Sequence, residues 1–321
     1  MTYSIIIPHK NIPDLLQRCL DSIPSRPDVE VIVVDDNSIP EVVNKLRLIN
    51  KPGLKLVYTK EGKGAGYARN IGLQHATGTW VLFADADDKF TETAFSGLDK
   101  CQKEDYDVVI FKTECKNADD MSKNGARQYL CEQWNKNIDN YRAKLIQRDT
   151  LLGDMMVPWG KMVRRIFLYA NNIKFEEIKY SNDIFWSFLL WKHSKEERVL
   201  ASSSLVYCLL ERADGLTKDY TSEAFLIRFY AGMRTNRAIH KAGLSMPIKE
   251  IKPFPYYYQE AKLLGSITLL KASLYSIFVA YQIPLVYKIE NKLNFKKPYF
   301  YITILNLQSF RDAIIKCFSK V

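Results

Sequence analysis

Three carboxylates, Asp85, Asp87 and Asp88, fall within four residues directly after the apolar run 80–83. The run predicts a short buried strand, and polar residues at the end of such a strand lie where α/β sheets bind ligands. Oxygen ligands this close repel one another unless a hard cation joins them, so the spacing suits Mg²⁺ or Mn²⁺. The alternative is a solvated acidic turn that opens the next helix.

The elements that must position these carboxylates alternate between strand and helix, which predicts a parallel sheet with helices on both faces. Three glycines precede the third helix with GxGxG spacing, which is not a dinucleotide or P-loop fingerprint. Apolar runs predict strands at 3–8, 29–34, 54–58 and 80–83, and helical spacing predicts helices at 13–23, 41–48 and 67–75.

Polar clusters follow the strands in a fixed order: SIIIPHKN, VEVIVVDDNS, GYARNIGL and TGTWVLFADADD. This ordered set resembles the inverting family-2 glycosyltransferases of the GT-A fold. Residues 157–165, 173–177 and 180–185, and Arg212 with 215–217, resemble later motifs of the same family. The resemblance covers about residues 3–219 and implies an α/β, GT-A-like Rossmann-type nucleotide-binding sheet. It divides the chain into a nucleotide-binding half (1–111), an acceptor half (112–219) and a C-terminal helical extension (220–321).

The resemblance implies transfer of a sugar from a nucleotide-sugar, with UDP as the expected nucleotide, and inversion at the sugar. The expected acceptor is a glycan or a lipid-linked saccharide of surface polysaccharide synthesis. The family roles give Asp87 and Asp85 to a divalent cation, Mn²⁺ or Mg²⁺, which would neutralise the leaving diphosphate. They give Asp183 to the base that takes the acceptor proton. The nucleotide pocket would contain Pro8, His9, Asn11, Asp36, Lys63, Arg69, Asp85 and Arg212, with Asp36 on the uracil ring, and the acceptor side would contain Trp159.

Each of these roles competes with a purely structural one. Asp36 is also suited to cap the helix at 41–48, as is Ser38, and Asp183 is suited to cap the helix that starts at Ile184. Arg69 could form a salt bridge within the carboxylate cluster, Lys63 could be solvated, and Trp159 could belong to the core. Two positions depart from the family: Lys10 stands where an aromatic is common, and Asn182 replaces the glutamate before Asp183.

Composition places the chain among globular proteins, and its charge is uneven. The six cysteines show no CxxC pair and no metal spacing, which predicts reduced, buried thiols and a cytoplasmic protein. Residues 220–321 hold 15 of the 46 Lys and Arg residues and 5 of the 36 Asp and Glu residues, so the whole net charge of +10 lies in the extension. Such asymmetry predicts an anionic partner.

The extension predicts a helix at 222–242 and a long apolar stretch at 263–283. That stretch is long enough to span a bilayer, but Lys271 lies near its middle and would cost about 3 kcal/mol there. We therefore expect the extension to lie on an anionic membrane surface, at the inner face. Packing on the catalytic part or on a second copy in a homo-oligomer is the alternative. No recognition motif favours nucleic acid.

Two further functions compete with sugar transfer. A sugar nucleotidylyltransferase would share the architecture, but such enzymes carry a Gly-rich Arg/Lys signature where this chain has residues 8–11. A non-catalytic glycan-binding or scaffold protein would not require the carboxylates at positions 85, 87 and 183.

Overall fold

The computed structural model describes residues 1–103, 105–212, 215 and 219–244, and then residues 261, 263–265, 267–269 and 271–273. In chain order these form β1 (Tyr3–His9), α1 (Pro13–Asp21), β2 (Val29–Asp36), α2 (Pro40–Arg47), β3 (Leu54–Thr59), α3 (Ala65–His75), β4 (Trp80–Phe83), β5 (Lys89–Phe90), α4 (Ala94–Asp99), β6 (Val108–Asn117), α5 (Gln128–Arg142), α6 (Arg148–Asp154), β7 (Lys161–Arg164), α7 (Arg165–Ala170), α8 (Ile184–His193), a 3-10 turn (Glu196–Arg198), β8 (Val199–Glu211) and α9 (Ser222–Lys241).

The strands of the described residues form one eight-stranded sheet in the order β3-β2-β1-β4-β7-β6-β8-β5. Strands β1 to β4 are parallel, as the alternation of strands and helices predicts. The second half of the sheet is different, because β7 runs antiparallel to both β4 and β6, and β5 runs antiparallel to β8. The parallel sheet predicted from the first four strands is therefore confirmed for β1 to β4, and the rest of the sheet is mixed. The four residues of β7 carry no sequence signal for strand direction, which the chain sets only when it returns between β4 and β6.

Strands β1, β2 and β4 are buried at every residue. Their near-continuous apolar runs, rather than alternating patterns, are typical of parallel strands covered on both faces. Strand β2 extends two residues beyond the predicted end at 34 and includes Asp35 and Asp36. Both carboxylates are therefore fixed by the sheet itself, at its carboxyl edge next to β1.

A buried carboxylate, Glu30, joins three segments at the opposite edge of the sheet. Its Oε1 accepts hydrogen bonds from the Ser4 hydroxyl (2.6 Å) and from the N–H groups of Thr77 (2.6 Å) and Gly78 (3.2 Å). Its Oε2 pairs with Lys55 Nζ at 2.6 Å. Burial alone would raise the pKa of Glu30, but the bonds from Lys55, Ser4 and Thr77 outweigh it and lower the pKa to about 2.

Replacing Glu30 with glutamine is expected to destabilise the fold by about 3 kcal/mol at pH 7, because it leaves a buried ion pair and its donors incompletely matched. The wild-type carboxylate stabilises the fold above its ordinary pKa of 4.5, and this contribution is lost as the pH falls toward 2. Urea unfolding should therefore show a smaller difference in the free energy of unfolding between wild type and Glu30→Gln at pH 4 than at pH 7. The exposed Glu92 provides the control substitution. Equal stability of the two variants at pH 7 would contradict the interpretation.

The described cysteines, at positions 19, 101, 115, 131 and 208, are buried thiols, as predicted. Helix α9 matches the helix predicted at 222–242 and packs against α8. No helix among the described residues is both long and apolar enough to cross a bilayer. Most of the predicted stretch 263–283, and everything after it, lies outside the described residues.

Candidate active site

The first part of the site is a hydrogen-bonded pair at the carboxyl ends of β1 and β2. His9 Nδ1 lies 2.7 Å from Asp35 Oδ1, and both side chains are buried. The Ile12 N–H donates to His9 Nε2 at 3.2 Å. Since Nε2 accepts this bond, the network assigns the ring proton to Nδ1, which donates to Asp35. His9, a predicted nucleotide contact, is thus committed to holding the loop after β1.

The same aspartate also fixes the loop after β2. Asp35 accepts from the Ser38 hydroxyl (2.6 Å) and the Ser38 N–H (3.0 Å), and the Ser38 hydroxyl in turn accepts from the Asn11 N–H (2.8 Å). Asn11 has a positive φ of 57° and accepts from the Ile39 N–H through its side chain. Burial would raise the pKa of Asp35, but the bonds from His9 and Ser38 lower it. The loops that follow Pro8 and Asp36 therefore form one unit.

Asp36 ties the Gly-rich loop to the sheet. Its carboxylate is almost fully buried and accepts from the N–H groups of Lys63 (3.1 Å) and Gly64 (2.7 Å). The φ of Gly64 is 95°, a backbone conformation that favours glycine. Helix α2 begins after Ile39 without any side-chain cap, so both cap predictions, for Asp36 and for Ser38, are wrong. Lys10 Nζ lies 4.0 Å from the Asp36 carboxylate.

Lys63 itself extends away from this anchor. Its Nζ lies 4.8 Å from the centre of the Tyr67 ring and 3.8 Å from Glu177 Oε2, and half of the side chain is exposed. The half-exposed side chain agrees with the alternative that Lys63 is solvated, and a contact between Lys63 and phosphate stays a prediction.

Arg69 joins two segments that are far apart in sequence. From α3 its guanidinium donates to Asp85 Oδ1 (2.5 Å) and to Asn182 Oδ1 (2.8 Å), and it lies over the Phe175 ring at 5.2 Å. The salt bridge within the carboxylate cluster, the alternative for this arginine, is confirmed. Asn182 stands where the family often has a glutamate. Of the two residues to which Arg69 donates here, Asp85 and Asn182, only Asp85 therefore carries a negative charge.

The acidic turn after β4 presents two of its three carboxylates. The side chains of Asp85 and Asp87 are 32% and 29% exposed, and Arg212 Nη2 lies 3.1 Å from Asp87 Oδ2. Arg18 donates to the backbone carbonyl of Asp87 at 3.0 Å. Burial and the nearby Asp85 charge raise the pKa of Asp87, against the effect of Arg212. Two like charges are thus held together beside arginines.

Asp88 is directed away from this pair. It is 5% exposed and accepts from the Tyr207 hydroxyl (2.9 Å) and from the Leu210 N–H (2.8 Å). Burial raises the pKa of Asp88 well above its ordinary value. Its oxygens are occupied by strand β8, so it is not suited to help bind a cation.

The described residues contain no cluster of three or more His, Cys, Asp or Glu side chains suited to hold a metal ion. The partly exposed pair, Asp85 and Asp87, nevertheless fits a hard divalent cation. Arg69 pairs with Asp85 through Oδ1, and Arg212 pairs with Asp87 through Oδ2, so the second oxygen of each carboxylate is farther from that arginine. Mg²⁺ and Mn²⁺ sites in enzymes often use one or two carboxylates and take their other ligands from water and substrate phosphate.

Asp183, the candidate base, stands directly before α8. Asp183 occupies the N-cap position of α8, as the alternative predicts, and its backbone carbonyl accepts from the Ser187 N–H, but its side chain makes no cap bond. Burial raises the pKa of the Asp183 carboxyl. The charge of Arg69 lowers it, and that of Asp85 raises it further. A half-buried carboxylate with a raised pKa is suited to accept a proton.

Helix α9 holds the segment that leads to Asp183. Arg234 donates to Glu176 Oε1 at 2.9 Å, and the Arg228 guanidinium lies 4.8 Å from the centre of the Tyr180 ring. On the other side, Gly66 of α3 packs so closely that a Cβ atom there would lie 2.0 Å from the Glu176 carbonyl oxygen. The first helix of the extension therefore braces the catalytic part, and the predicted boundary at 219/220 stays a prediction.

Trp159 lies in the hydrophobic core, only 6% exposed. Its ring stacks on Tyr207, with ring centres 5.3 Å apart and planes at 7°, and Trp134 packs against it edge-on. This position is that of a core tryptophan, the alternative given by the sequence, and an acceptor-side role stays a prediction. Asp35 lies in the predicted motif VEVIVVDDNS but was given no role there, whereas Arg18, Tyr207 and Arg234 were missed because none of them lies in a motif.

Comparison with known proteins identifies the family of the chain. The profile of glycosyl transferase family 2 matches residues 4–169, just over half of the chain. The chain is 27% identical over 263 residues to a poly(ribitol-phosphate) beta-glucosyltransferase of Bacillus spizizenii, an alignment that covers 78% of this chain and 39% of that protein. The chain thus spans about two fifths of that relative's length.

Solved structures show the same fold at lower sequence identity. Staphylococcus aureus TarS 1–349 in complex with UDP-GlcNAc superposes with a TM-score of 0.57 at 20% identity, covering 90% of this chain and 78% of that one. The mannosyltransferase PcManGT of Pyrobaculum calidifontis, in complex with GDP-Man and Mn²⁺, gives 0.52 at 17% identity, covering 89% and 81%.

The chain therefore belongs to glycosyl transferase family 2. Its α/β sheet is that of the GT-A fold, which confirms the fold predicted from the ordered motifs.

Proposed function

We propose that the protein transfers a sugar from a UDP-sugar, with inversion, to a glycan or lipid-linked saccharide acceptor of surface polysaccharide synthesis. The observation that carries the proposal is the position of Arg69, which joins Asp85 to Asn182, the residue next to Asp183. Diphosphate neutralisation and proton acceptance would thereby take place at adjoining points. The TarS complex with UDP-GlcNAc supports the choice of nucleotide.

In the proposed reaction, the acceptor hydroxyl attacks the anomeric carbon while the bond from that carbon to the diphosphate oxygen breaks. The hydroxyl proton passes to the Asp183 carboxylate, and UDP leaves. A divalent cation held by Asp85 and Asp87 would act as a Lewis acid on the diphosphate. Arg69 and Arg212 hold the two carboxylates in place and add positive charge beside the leaving group. A single displacement of this kind needs one base and no second carboxylate nucleophile.

Thermal unfolding with a panel of nucleotide-sugars tests the donor. A ligand that binds only the folded state raises the apparent Tm, so UDP-sugars should raise it, and more with Mn²⁺ than without. ADP- and GDP-sugars serve as matched controls. No shift with any UDP-sugar would contradict the proposal. A nucleotidylyltransferase would instead release pyrophosphate from UTP and a sugar 1-phosphate, and a scaffold protein would catalyse neither reaction.

We also propose that the extension attaches the protein to an anionic membrane surface. The whole net charge of +10 lies in residues 220–321, and three apolar side chains of its described part are largely exposed: Tyr220 (77%), Leu263 (87%) and Ile267 (72%). Basic residues near an anionic leaflet contribute about 1 kcal/mol each, and apolar side chains add burial at the acyl boundary.

Charge reversal is a sharper test of membrane binding than truncation, because α9 braces the segment before Asp183. Reversing Lys288, Lys292, Lys296 and Lys297 together should weaken sedimentation with anionic vesicles at low salt and leave UDP affinity unchanged. The matched control reverses four exposed lysines of the catalytic part. Equal, negligible binding of the wild type to anionic and neutral vesicles would end the proposal. The control residues are Lys100, Lys103, Lys192 and Lys195.

A further inference from the structure

A single phenol connects strand β8 to the acidic turn that carries the proposed cation ligands. The Tyr207 hydroxyl oxygen accepts a hydrogen bond from the Asp85 N–H at 2.9 Å and donates to Asp88 Oδ2 at 2.9 Å. The other oxygen of Asp88 accepts from the Leu210 N–H at 2.8 Å. The hydroxyl therefore closes a chain of bonds that starts at the Asp85 peptide and ends on the β8 backbone, more than a hundred residues away.

The direction of these bonds follows from the groups involved. An amide N–H can only donate, so the phenol oxygen is the acceptor at Asp85, and its single hydrogen is left for Asp88. Asp88 cannot exchange this partner for water, because it is only 5% exposed. A buried N–H without a partner is costly, which ties the Asp85 peptide to the phenol.

The ring of Tyr207 is held as firmly as its hydroxyl. It is fully buried, stacked on Trp159 with ring centres 5.3 Å apart and packed edge-on against Phe90 at 5.7 Å. Strand β8 fixes its backbone through pairing with β6 and β5. The position of the phenol oxygen is therefore fixed, and its hydrogen bond fixes the position of the Asp85 N–H.

We propose that Tyr207 is a positioning residue for the donor site. It is fully buried, and its role is to orient the Asp85 peptide and thereby the Asp85 and Asp87 carboxylates that would bind the cation. This inference rests on the proposed function for its consequence in catalysis, whereas its structural part, the anchoring of the Asp85 peptide, does not depend on any ligand. Trp159 has an indirect role in the same arrangement, because its ring stacks on Tyr207 and helps to hold the phenol in place.

Tyr207→Phe tests the inference because it keeps the stacked ring and deletes one oxygen atom. Tyr3→Phe is the matched control, since the Tyr3 hydroxyl bonds to Asp99 at 2.9 Å at the other edge of the sheet. Groups that orient cation ligands typically change metal affinity by 10–100-fold when lost. We therefore expect Tyr207→Phe to weaken Mn²⁺ binding, titrated alone and with UDP, by about 10-fold or more. Tyr3→Phe should leave this affinity unchanged even where it lowers the Tm.

Amide hydrogen exchange supplies a second readout that needs no ligand. The Asp85 amide should exchange faster in Tyr207→Phe than in the wild type or in Tyr3→Phe, because it has lost its acceptor. Unchanged exchange at Asp85 would overturn the inference, whatever the protein transfers. Faster exchange with unchanged Mn²⁺ affinity would overturn it as well, since the anchor would then have no effect on the ligands.

The wild type separates this inference from the proposed function. Wild-type protein that binds Mn²⁺ but not UDP would contradict the donor assignment, while the exchange and Mn²⁺ measurements still decide the role of Tyr207. If Tyr207→Phe does not fold, Trp159→Phe, which removes part of the ring that stacks on Tyr207 and keeps the phenol, should give faster exchange at Asp85 and an Mn²⁺ affinity lower by about 10-fold, the lower end of such effects. Wild-type values for both quantities in that variant would overturn the inference.

Discussion

Asp183→Asn is expected to remove sugar transfer and to leave donor binding intact. The amide keeps nearly the size and shape of the carboxylate but cannot accept the acceptor proton, and a positioned base typically contributes about 10²–10⁴-fold to the rate. A loss of kcat of that order, with an unchanged Kd for UDP, is the expected result. Asp139→Asn, at an exposed position on α5, is the control. Near-normal turnover of the Asp183 variant would show that this residue is not the base.

The same residue predicts a pH dependence. Asp183 can act only when deprotonated, and burial raises the pKa of its carboxyl above the ordinary value of 3.8. The wild-type kcat/KM should therefore fall as the pH drops through this raised pKa, earlier than an exposed aspartate would require. An acid limb that lies at or below the ordinary value would contradict a raised pKa at Asp183.

Asp87→Ala is expected to abolish Mn²⁺-dependent UDP binding, a loss of about 100-fold or more in affinity, since one of two protein ligands is removed from the cation. The fold should survive. Burial and the Asp85 charge raise the pKa of Asp87, which means that the charged carboxylate is itself unfavourable in the folded state at neutral pH. We expect the free energy of unfolding to change by no more than about 1 kcal/mol.

Isothermal titration calorimetry with UDP, with and without Mn²⁺, measures this effect. Asp120→Ala, which changes a solvent-facing carboxylate in the 119–123 turn, provides the control. An unchanged affinity in the Asp87 variant would remove this residue from the cation site.

The parts of the site that sequence analysis located are those where local pattern and chemistry coincide. The run 80–83 ends where predicted and leads into Asp85 and Asp87, because four consecutive apolar residues can only be a short buried segment. Asp183 stands at the start of α8 for the same reason: an apolar run bounded by a polar residue marks the helix boundary.

The local sequence pattern does not show which face of the sheet each of two adjacent side chains lies on, or what it contacts there. Asp35 and Asp36 are adjacent in β2, so their side chains leave on opposite faces of the strand. One holds His9 and Ser38, and the other holds the Gly-rich loop. The two residues look equivalent in the sequence, and only the sheet distinguishes them.

Contacts between distant segments are a second source of error. Tyr207 lies in an apolar stretch of β8 that predicts a core residue, yet its hydroxyl reaches Asp85 and Asp88 across the sheet. Arg234 belongs to a helix in the basic extension, whose charge predicts an external partner, but it pairs with Glu176, seven residues before Asp183. Neither contact can be predicted from periodicity or composition, because both depend on the tertiary fold, which brings distant segments of the chain together.

The anomeric configuration of the sugar first released from an α-linked UDP-sugar tests the central claim most directly. With water as acceptor, the reaction needs no knowledge of the natural acceptor, and proton NMR in the first minutes distinguishes the anomers before they equilibrate. One displacement assisted by Asp183 predicts that the β-anomer appears first and that Asp183→Asn releases neither anomer. Release of the α-anomer first would contradict the account, because it would require a double displacement that this site does not provide.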